Sequence, residues 1–439
     1  MPVLDRFPEL RRPLSDDQAL LEADRCLDCS GPYATAPCVV ACPASVDVPR
    51  FVRELAAARP LDAAATIYRE NLLGGTCARV CPVEVLCEGA CVLQHEGQAP
   101  IAVAALQRYA TDVARAAGAP LRTPQRPNGR SVAVVGAGPG GLACAGELAA
   151  RGFDVVVFDE HTEVGGAVRT AIAPYRQRVD PLPAERKALE ALGVRFRLGV
   201  QIRSRGQLER LVDGADAIFL GVGLGDDVEL DCPGTDLPGF WRSLEFIAEL
   251  KHGRPVAVGE RVVVLGGGNT AVDVAREAIR LGAAHVTLAY RRTRGEMPAY
   301  DFEVDAAEAE GVEFEWLAAP VAFRGEGCLQ YVFFDRMRLG APGRDGRRRP
   351  EPVEGARFAL PADTVVAALG QQPRLEVADW LDELVLEGGR LVVDPQTGRA
   401  GSTLVFAGGD AVNGGSSVVQ AVAEGKRAAC AIEAALCPS

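Results

Sequence analysis

Apolar residues follow two different rhythms along the 439-residue chain. From about residue 131 onward, short unbroken apolar runs end in glycine and give way to stretches with helical spacing. SVAVVG, beginning at Ser131, leads into the amphipathic GLACAGELAARG and then VVVFDE. A continuous apolar run bounded by turn residues reads as a strand covered on both faces. The same order returns at 261–291, RVVVLGGGNTAVDVAREAIRLGAAHVTLAYR. Strand, glycine turn, helix and strand make the dinucleotide-binding βαβ unit, here present twice. Two further apolar runs, AIFLGVG at 217–223 and TVVAALG at 364–370, flank the second unit and end in glycine. They read as the exit and return points of the chain. The second unit is therefore expected as an insertion in the first, whose last part is LVFAGGDAVNGGSSVVQAVAEGKRAACAIEAAL at 404–436.

Before residue 117 the pattern is helical, with no strong strand run. Asp47 caps a helix that Pro49 opens, PRFVRELAAA, and a second helix fits LDAAATIYREN. GAPLRTPQRPNGR at 118–130, rich in Pro, Gly and Arg, reads as a linker. The expected division is a helical domain over 1–117, a linker over 118–130, a first nucleotide-binding domain in two parts (131–256 and 370–439), and a second over 257–369. The predicted class is α/β with an α-helical head and two Rossmann-like domains, one inserted in the other.

Composition narrows the function. No apolar run reaches the roughly 20 residues that cross a bilayer, and the N-terminal MPVLDRFPELRRPLSDDQ has charge where a signal peptide needs an apolar core. A cytoplasmic protein without membrane attachment is expected. The net charge of -12 disfavours nucleic acid, and the one dense basic cluster, RDGRRRPEP at 344–352, sits among Gly and Pro as a solvated turn would. His95, His161, His252 and His285 show no metal or triad spacing.

The two glycine turns lead to strands that end differently. Gly136, Gly138 and Gly141 let backbone amides approach a pyrophosphate at a helix N-terminus. The next strand ends in Asp159, placed to accept hydrogen bonds from an adenosine ribose, as FAD or NAD requires. In the second unit, Gly266, Gly268, Asn269 and Thr270 form the turn, and the strand after it ends in Arg291 and Arg292. Guanidinium groups there suit a 2'-phosphate, so NADPH is expected, with NADH as the alternative. FAD belongs to the first unit because that domain also carries FAGGDAV. Gly409 and Asp410 suit the flavin's ribityl or phosphate region, and the helix starting near Ser417 and Val418 aims amides at the pyrimidine edge. No CxxC lies near either turn, which disfavours a dithiol relay.

Eight of the thirteen cysteines lie between 26 and 91, as C-x2-C-x8-C-x3-C-P and then C-x3-C-P-x5-C-x3-C. Clustering of this kind in a cytosolic chain points to metal rather than disulfides. Zinc prefers paired CxxC knuckles, and only Cys26 and Cys29 form one; the CxxxC spacings and Cys-Pro steps fit iron-sulfur ligation better. A flavin that releases electrons singly would have use for such clusters, whereas zinc has no redox step.

APCVVACP, GTCARVCPVEVLCEGAC, PIAVAALQRYATD, GAGPGGL, GGGNTAVD and FAGGDAV together resemble the electron-input portion of dihydropyrimidine dehydrogenases. The likeness is greatest to the NAD(P)H-accepting subunit of bacterial two-subunit forms. The chain is also similar, less closely in the head, to the small subunit of NADPH-dependent glutamate synthase. Both resemblances imply FAD and two 4Fe-4S clusters that pass electrons to an FMN-containing partner. The first implies one cluster on Cys26, Cys29, Cys38 and Cys91, and the other on Cys42, Cys81, Cys87 and Gln107. Cys77 would then match a cysteine that is no ligand, and Gln107, read from its helix alone, would pass as a surface residue. The loop SGPYATAP between Cys29 and Cys38 is longer than the family's. Arg176, which comes after Gly165 and Gly166, is similar to a family position near the flavin. The expected activity is electron input from NADPH to a partner of the dihydropyrimidine dehydrogenase type. The rivals are a glutamate synthase small subunit, a ferredoxin-linked oxidoreductase, and a non-enzymatic redox sensor. No residue is assigned to catalysis itself.

Overall fold

The computed structural model describes residues 2–29, 31, 34–120, 122–212, 214–343 and 346–437. The expectations for the Cys29–Cys38 loop, the 118–130 linker and the 344–352 turn thus fall partly outside the described residues.

The head is built from α1 (Asp16–Asp24), α2 (Pro37–Val40), α3 (Val48–Ala56), α4 (Pro60–Glu70), α5 (Gly74–Val80) and α6 (Val103–Ala116). Local chemistry starts these helices. Ser15 and Gln18 form a reciprocal capping box on α1, and Asp47 accepts the Arg50 amide ahead of Pro49 on α3. Among the described residues the head's only bridge pairing is Gly31–Ala34.

Next come β1 (Ser131–Val135), α7 (Pro139–Ala150), β2 (Asp154–Asp159), α8 (Ala167–Thr170), α9 (Leu182–Ala191), β3 (Arg195–Leu198), α10 (Arg205–Val212) and β4 (Ala217–Leu220). The chain then forms β5 (Phe240–Arg242), α11 (Ser243–Lys251), β6 (Arg261–Leu265), α12 (Asn269–Leu281), β7 (His285–Tyr290), α13 (Asp301–Ala309) and β8 (Val312–Trp316). A meander comes after these, β9 (Ala318–Arg324), β10 (Tyr331–Pro342) and β11 (Arg348–Pro361), and then β12 (Thr364–Ala367). The last elements are β13 (Leu386–Glu387), β14 (Arg390–Leu391), β15 (Val405–Ala407), α14 (Asp410–Asn413) and α15 (Val418–Leu436).

Two five-stranded parallel sheets result, ordered β15-β4-β1-β2-β3 and β5-β12-β6-β7-β8. The first draws strands from both sides of the second, so one dinucleotide-binding fold interrupts the other. Val134 at its centre pairs with Val157 on one side and Phe219 on the other. The buried runs noted in the sequence are thus the middle strands, where both faces are covered.

The chain divides into two compact units. One comprises Met1–Glu9, Arg169–Arg178 and Gly225–Gln372; the other comprises Leu10–Val168, Val179–Leu224 and Pro373–Ser439. The N-terminal residues join the first because Phe7 is fully buried in a core with Ala173, Tyr175, Phe246 and Leu288. Burying that ring contributes about 1.5–3 kcal/mol. The head and the β1–β4 sheet share the second unit.

Candidate cofactor sites

The first glycine turn joins β1 to α7. Gly136 has φ +105°, and a Cβ there would stand 2.2 Å from the Gly221 carbonyl oxygen; at Gly141 it would stand 1.9 Å from that of Gly136. These two glycines are demanded by the fold itself. Gly138 is different: as N-cap of α7 it has an extended backbone, and its nearest potential Cβ neighbour is the Gly166 Cα at 4.0 Å. Gly166 comes close to this helix N-terminus, where a Cβ on it would stand 3.0 Å from the Gly138 Cα, so the two glycines keep side chains away from the end of α7 at which backbone amides could meet a pyrophosphate.

Asp159 ends β2 beside it. One carboxylate oxygen accepts the Ala137 amide at 2.6 Å, and the other accepts the His161 amide at 2.8 Å. Burial pushes its pKa up, but His161 and these amide bonds outweigh that and hold it below the usual carboxylate range. The acid stays charged, fixes the glycine turn, and keeps lone pairs for a ribose. Gly409, 3.7 Å from a potential Cβ on Gly140 at the start of α7, has φ +76° and its amide donates to Glu424 at 2.6 Å. Glu424 also accepts from Asn413 and Gln420, so a buried carboxylate shapes the FAGGDAV turn. Asp410 accepts the Ser416 amide at 3.4 Å, and burial pushes its pKa up. Ser417 caps α15 by accepting the Gln420 amide, which leaves the Val418 end of that helix free to present its first amides.

The second glycine turn repeats the logic. A Cβ on Gly266 would stand 2.1 Å from the Ala368 carbonyl oxygen, and one on Gly267 would stand 2.5 Å from the Tyr290 ring. Gly268, N-cap of α12, has nothing within 4 Å of its potential Cβ. Asn269 accepts the Tyr300 amide at 3.0 Å and so ties the turn to the start of α13; Thr270 is next to it in the first turn of α12. At the end of β7, Arg291 is exposed, while Arg292 is buried and its Nε donates to the Arg348 carbonyl at 2.7 Å. The meander thereby fixes one arginine and leaves the other on the surface.

Arg176 lies in the same unit as this second turn. Its guanidinium binds Asp273 at 2.6 Å and Glu303 at 2.7 Å, next to Tyr175, whose hydroxyl donates to Asp273. Arg276 and Arg280 also lie over the Tyr175 ring, at 5.0 and 4.4 Å from its centroid.

The head cysteines are all free thiols. Cys26, Cys29, Cys38 and Cys91 line one cavity of ≈ 30 Å³, which Cys87 also borders. Burial pushes Cys38 up to about 12, with Cys26 and Cys29 adding to it. The remaining thiols form a second group. Cys81 is hydrogen-bonded to Cys77, and Cys77, Cys87 and Cys42 all raise its pKa. Such mutual elevation marks clustered sulfurs that favour deprotonation only once a cation joins them. Among the described residues no three His, Cys, Asp or Glu side chains converge tightly enough to hold a single metal ion. Gln107 is buried, not on the surface, and its Nε2 donates to the Gly74 carbonyl at 2.8 Å.

Three contacts absent from any motif join the head to the β1–β4 domain. Glu185 on α9 accepts from Thr76 on α5; Arg122 binds the Tyr68 and Arg69 carbonyls and Glu147 on α7; Lys426 on α15 reaches Ala44 and Glu70.

Residues 4–119 match the family model described as dihydropyrimidine dehydrogenase domain II, 4Fe-4S cluster, and residues 130–425 match that of pyridine nucleotide-disulphide oxidoreductases. The chain is 38% identical over 440 residues to the glutamate synthase [NADPH] small chain of Halomonas elongata, covering 96% of this chain and 92% of that one. Against the Escherichia coli K12 small chain it is 36% identical over 443 residues, with the same coverage. It is 38% identical to the NADP(+)-dependent formate dehydrogenase subunit beta of Moorella thermoacetica, across 92% of this chain and 60% of that one. Among solved structures, Mycobacterium tuberculosis FprA in complex with NADPH superposes with a TM-score of 0.57 at 21% identity, covering 70% of this chain and 84% of that one. Thermoplasma acidophilum thioredoxin reductase gives 0.54 at 20%, covering 70% and 99%. These two establish the fold alone.

Proposed function

We propose, from the premise that this chain belongs to the family of NADPH-dependent glutamate synthase small chains, that it is the electron-input subunit of a two-component enzyme. It is an NADPH-dependent flavin and iron-sulfur oxidoreductase. When bound, FAD accepts hydride from NADPH and the 4Fe-4S clusters carry single electrons onward. The chain's own residues position those groups. Gly138 and Gly166 leave room for the FAD pyrophosphate, Asp159 holds the adenosine ribose, and Gly409, Asp410 and the Ser417–Val418 helix start serve the flavin end. Gly268 leaves room for the nicotinamide nucleotide, and Arg291, beside the anchored Arg292, selects the 2'-phosphate.

For the clusters, we assign Cys26, Cys29, Cys38 and Cys91 to one site and Cys42, Cys81 and Cys87 to the other. Gln107 is the fourth donor that resemblance implies; Cys77 is the one that the thiol grouping favours.

One observation carries this reading: both thiol groups lie in the same compact unit as the FAD-type turn. The Cys42 group adjoins α5, which packs on α15, and the other group includes the exposed Cys29. In this reading the Cys42 group would hold the cluster on the flavin side, and the Cys26 group the one nearer the acceptor. The acceptor is an FMN-containing catalytic subunit, and a glutamate synthase large chain fits best, because the likeness to its small chains runs the whole length. The pyrimidine-reducing partner expected from the head motifs stands second, supported by the head's family model. Ferredoxin ranks third. A cytoplasmic setting belongs to this reading, since free clustered thiols need a reducing compartment.

Anaerobic titration of the holo chain with NADPH tests it. Bleaching of flavin absorbance with paramagnetic reduced clusters is expected; an unbleached flavin or iron-free protein overturns it and leaves a redox sensor. Glutamine-dependent NADPH oxidation on mixing with a glutamate synthase large chain, and none with a dihydropyrimidine dehydrogenase partner or ferredoxin, identifies the acceptor.

A further inference from the structure

Arg79 stands midway between Cys77 and Cys81 on the sequence of α5. At about 3.6 residues per turn, that offset carries the arginine to the helix face opposite the two sulfurs. Its side chain is fully buried there. Nη1 donates back to the Gly75 carbonyl at 2.9 Å, and Nη2 donates to both carboxylate oxygens of Asp112 on α6 at 2.8 Å. Nε has no hydrogen-bond partner.

The charge of this guanidinium is poorly matched. Among the described residues Asp112 is the only carboxylate that pairs with Arg79, and the same carboxylate also takes Arg115 at 3.1 Å and Arg108 at 3.5 Å. Glu185, the other carboxyl within electrostatic reach, gives its oxygens to the Thr76 amide and hydroxyl. Arg11, a second cation at this end of the helix, donates to the Arg79 and Cys81 carbonyls and has a carboxylate of its own, Glu84, at 3.0 Å. Excess positive charge is therefore left on the buried Arg79. Taking a cation out of water costs free energy that one shared carboxylate does not return, and the orphaned Nε donor adds to the cost. A thiolate-held iron-sulfur cluster, which carries net negative charge in either oxidation state, supplies the missing anion on the other side of α5.

We propose that Arg79 is the buried counter-charge of the cluster that Cys42, Cys81 and Cys87 serve, and that it raises the reduction potential of that cluster. The inference rests on the reading of these cysteines as ligands. Each one-electron reduction adds a negative charge, so a fixed cation stabilises the reduced form more than the oxidised one. The action crosses the width of one helix, about 10 Å, through protein interior, where a charge is felt more strongly than in water and is little screened by salt. It favours the passage of electrons from the flavin to this cluster.

The experiment is an EPR-monitored redox titration of the reconstituted holo chain carrying Arg79→Met, Arg79→Lys or Asp112→Asn. Each variant is expected to keep its iron and to bleach its flavin with NADPH. Arg79→Met removes the charge and should shift one of the two cluster potentials negative while the other holds. The expected size is about a tenfold change in the one-electron equilibrium, or about 59 mV. Arg79→Lys keeps the charge and recovers most of the shift. Asp112→Asn leaves every arginine in place and removes the shared negative charge, so the same potential should move positive. A role in packing alone would not give opposite signs. An unshifted potential in iron-replete Arg79→Met overturns the proposal, as does a shift common to both clusters. If Arg79→Met does not hold its iron, Asp112→Asn decides alone, and a negative or absent shift there overturns the proposal. A wild-type chain without cluster signals would instead overturn the functional reading.

Discussion

Glu185 accepts two hydrogen bonds from Thr76, 109 residues earlier, one from its amide at 2.9 Å and one from its hydroxyl at 2.6 Å. Thr76 precedes Cys77 in α5, and Glu185 belongs to α9 of the β1–β4 domain, so one carboxyl group fastens the thiol-bearing helix to the FAD-type fold. The fit is close: a Cβ on Gly75 would stand 3.1 Å from the same carboxyl oxygen.

The contact makes stability depend on pH. Burial raises the Glu185 carboxyl from its ordinary 4.5 to about 7, because the Thr76 bonds offset only part of the desolvation. The folded chain thus binds this proton more tightly than the unfolded chain. The resulting stabilisation is complete below about 4.5 and is lost as pH rises through 7. Glu185→Gln can serve both Thr76 groups without titrating. Melting temperatures of the two holo proteins should therefore diverge between pH 5 and 8, with wild type falling relative to the variant. A difference that stays constant with pH would refute the assignment.

The glycines separate fold from ligand. Gly266→Ala drives a methyl group into the Ala368 carbonyl and strains a φ of +139°, so it should cost stability outright. Gly268→Ala meets nothing in the protein and needs no unusual backbone, yet fills the cradle at the start of α12. Its thermal unfolding should match wild type, while KM for NADPH rises at least about tenfold, the cost of roughly 1.4 kcal/mol of lost contact. A normal KM would remove the nucleotide from that helix end.

Arg291 and Arg292 are neighbours in sequence with different duties. Arg292 is buried and holds the β11 backbone through the Arg348 carbonyl, whereas Arg291 is exposed. A charge-assisted bond to a 2'-phosphate is worth about 1.5–3 kcal/mol, or about a 10- to 150-fold preference. Arg291→Ala should lose that factor in kcat/KM for NADPH and little for NADH. Arg292→Ala should instead lower stability and affect both cofactors. Equal losses with both cofactors in Arg291→Ala would end the assignment of that residue to the phosphate.

The parts of this molecule that could be read from sequence are those that steric necessity writes into residue type. Gly136, Gly141 and Gly266 stand where a side chain would strike a carbonyl, and the apolar runs at β1, β6 and β12 stand where both faces are covered. Burial of Gln107 was not legible, because α6 buries Val103, Leu106, Ala110 and Ala114 on a face wide enough to include it. Nor was the role of Lys426 or Arg122, since each looks like any surface cation until contacts across 356 or 25 residues form. The burial of Phe7 among residues beyond 170 had no local signature either. Site motifs are local and survive in one dimension; the contacts that join head and flavin-side helices are not.

The fourth donor of the second cluster turns on Cys77 and Gln107. Cys77 is buried, hydrogen-bonded to Cys81, and raises the Cys81 pKa together with Cys87 and Cys42, so its sulfur belongs to the group that would surround the iron. Gln107 has its amide nitrogen committed to the Gly74 carbonyl and could offer only a neutral oxygen. Thiolate outcompetes a neutral amide for a cluster iron, as the prevalence of cysteine ligation implies. Cys77→Ala should therefore fall from about eight irons per chain to about four, whereas Gln107→Ala keeps about eight. The opposite pair of iron counts would establish Gln107 as the ligand and reduce Cys77 to a packing thiol beside it. Because Cys77 is next to Thr76 in α5, loss of iron in Cys77→Ala should leave the Glu185 contact intact. Retention of the pH-dependent difference in melting between Cys77→Ala and Cys77→Ala with Glu185→Gln would show that the iron was lost for want of a ligand, with the helix still in place.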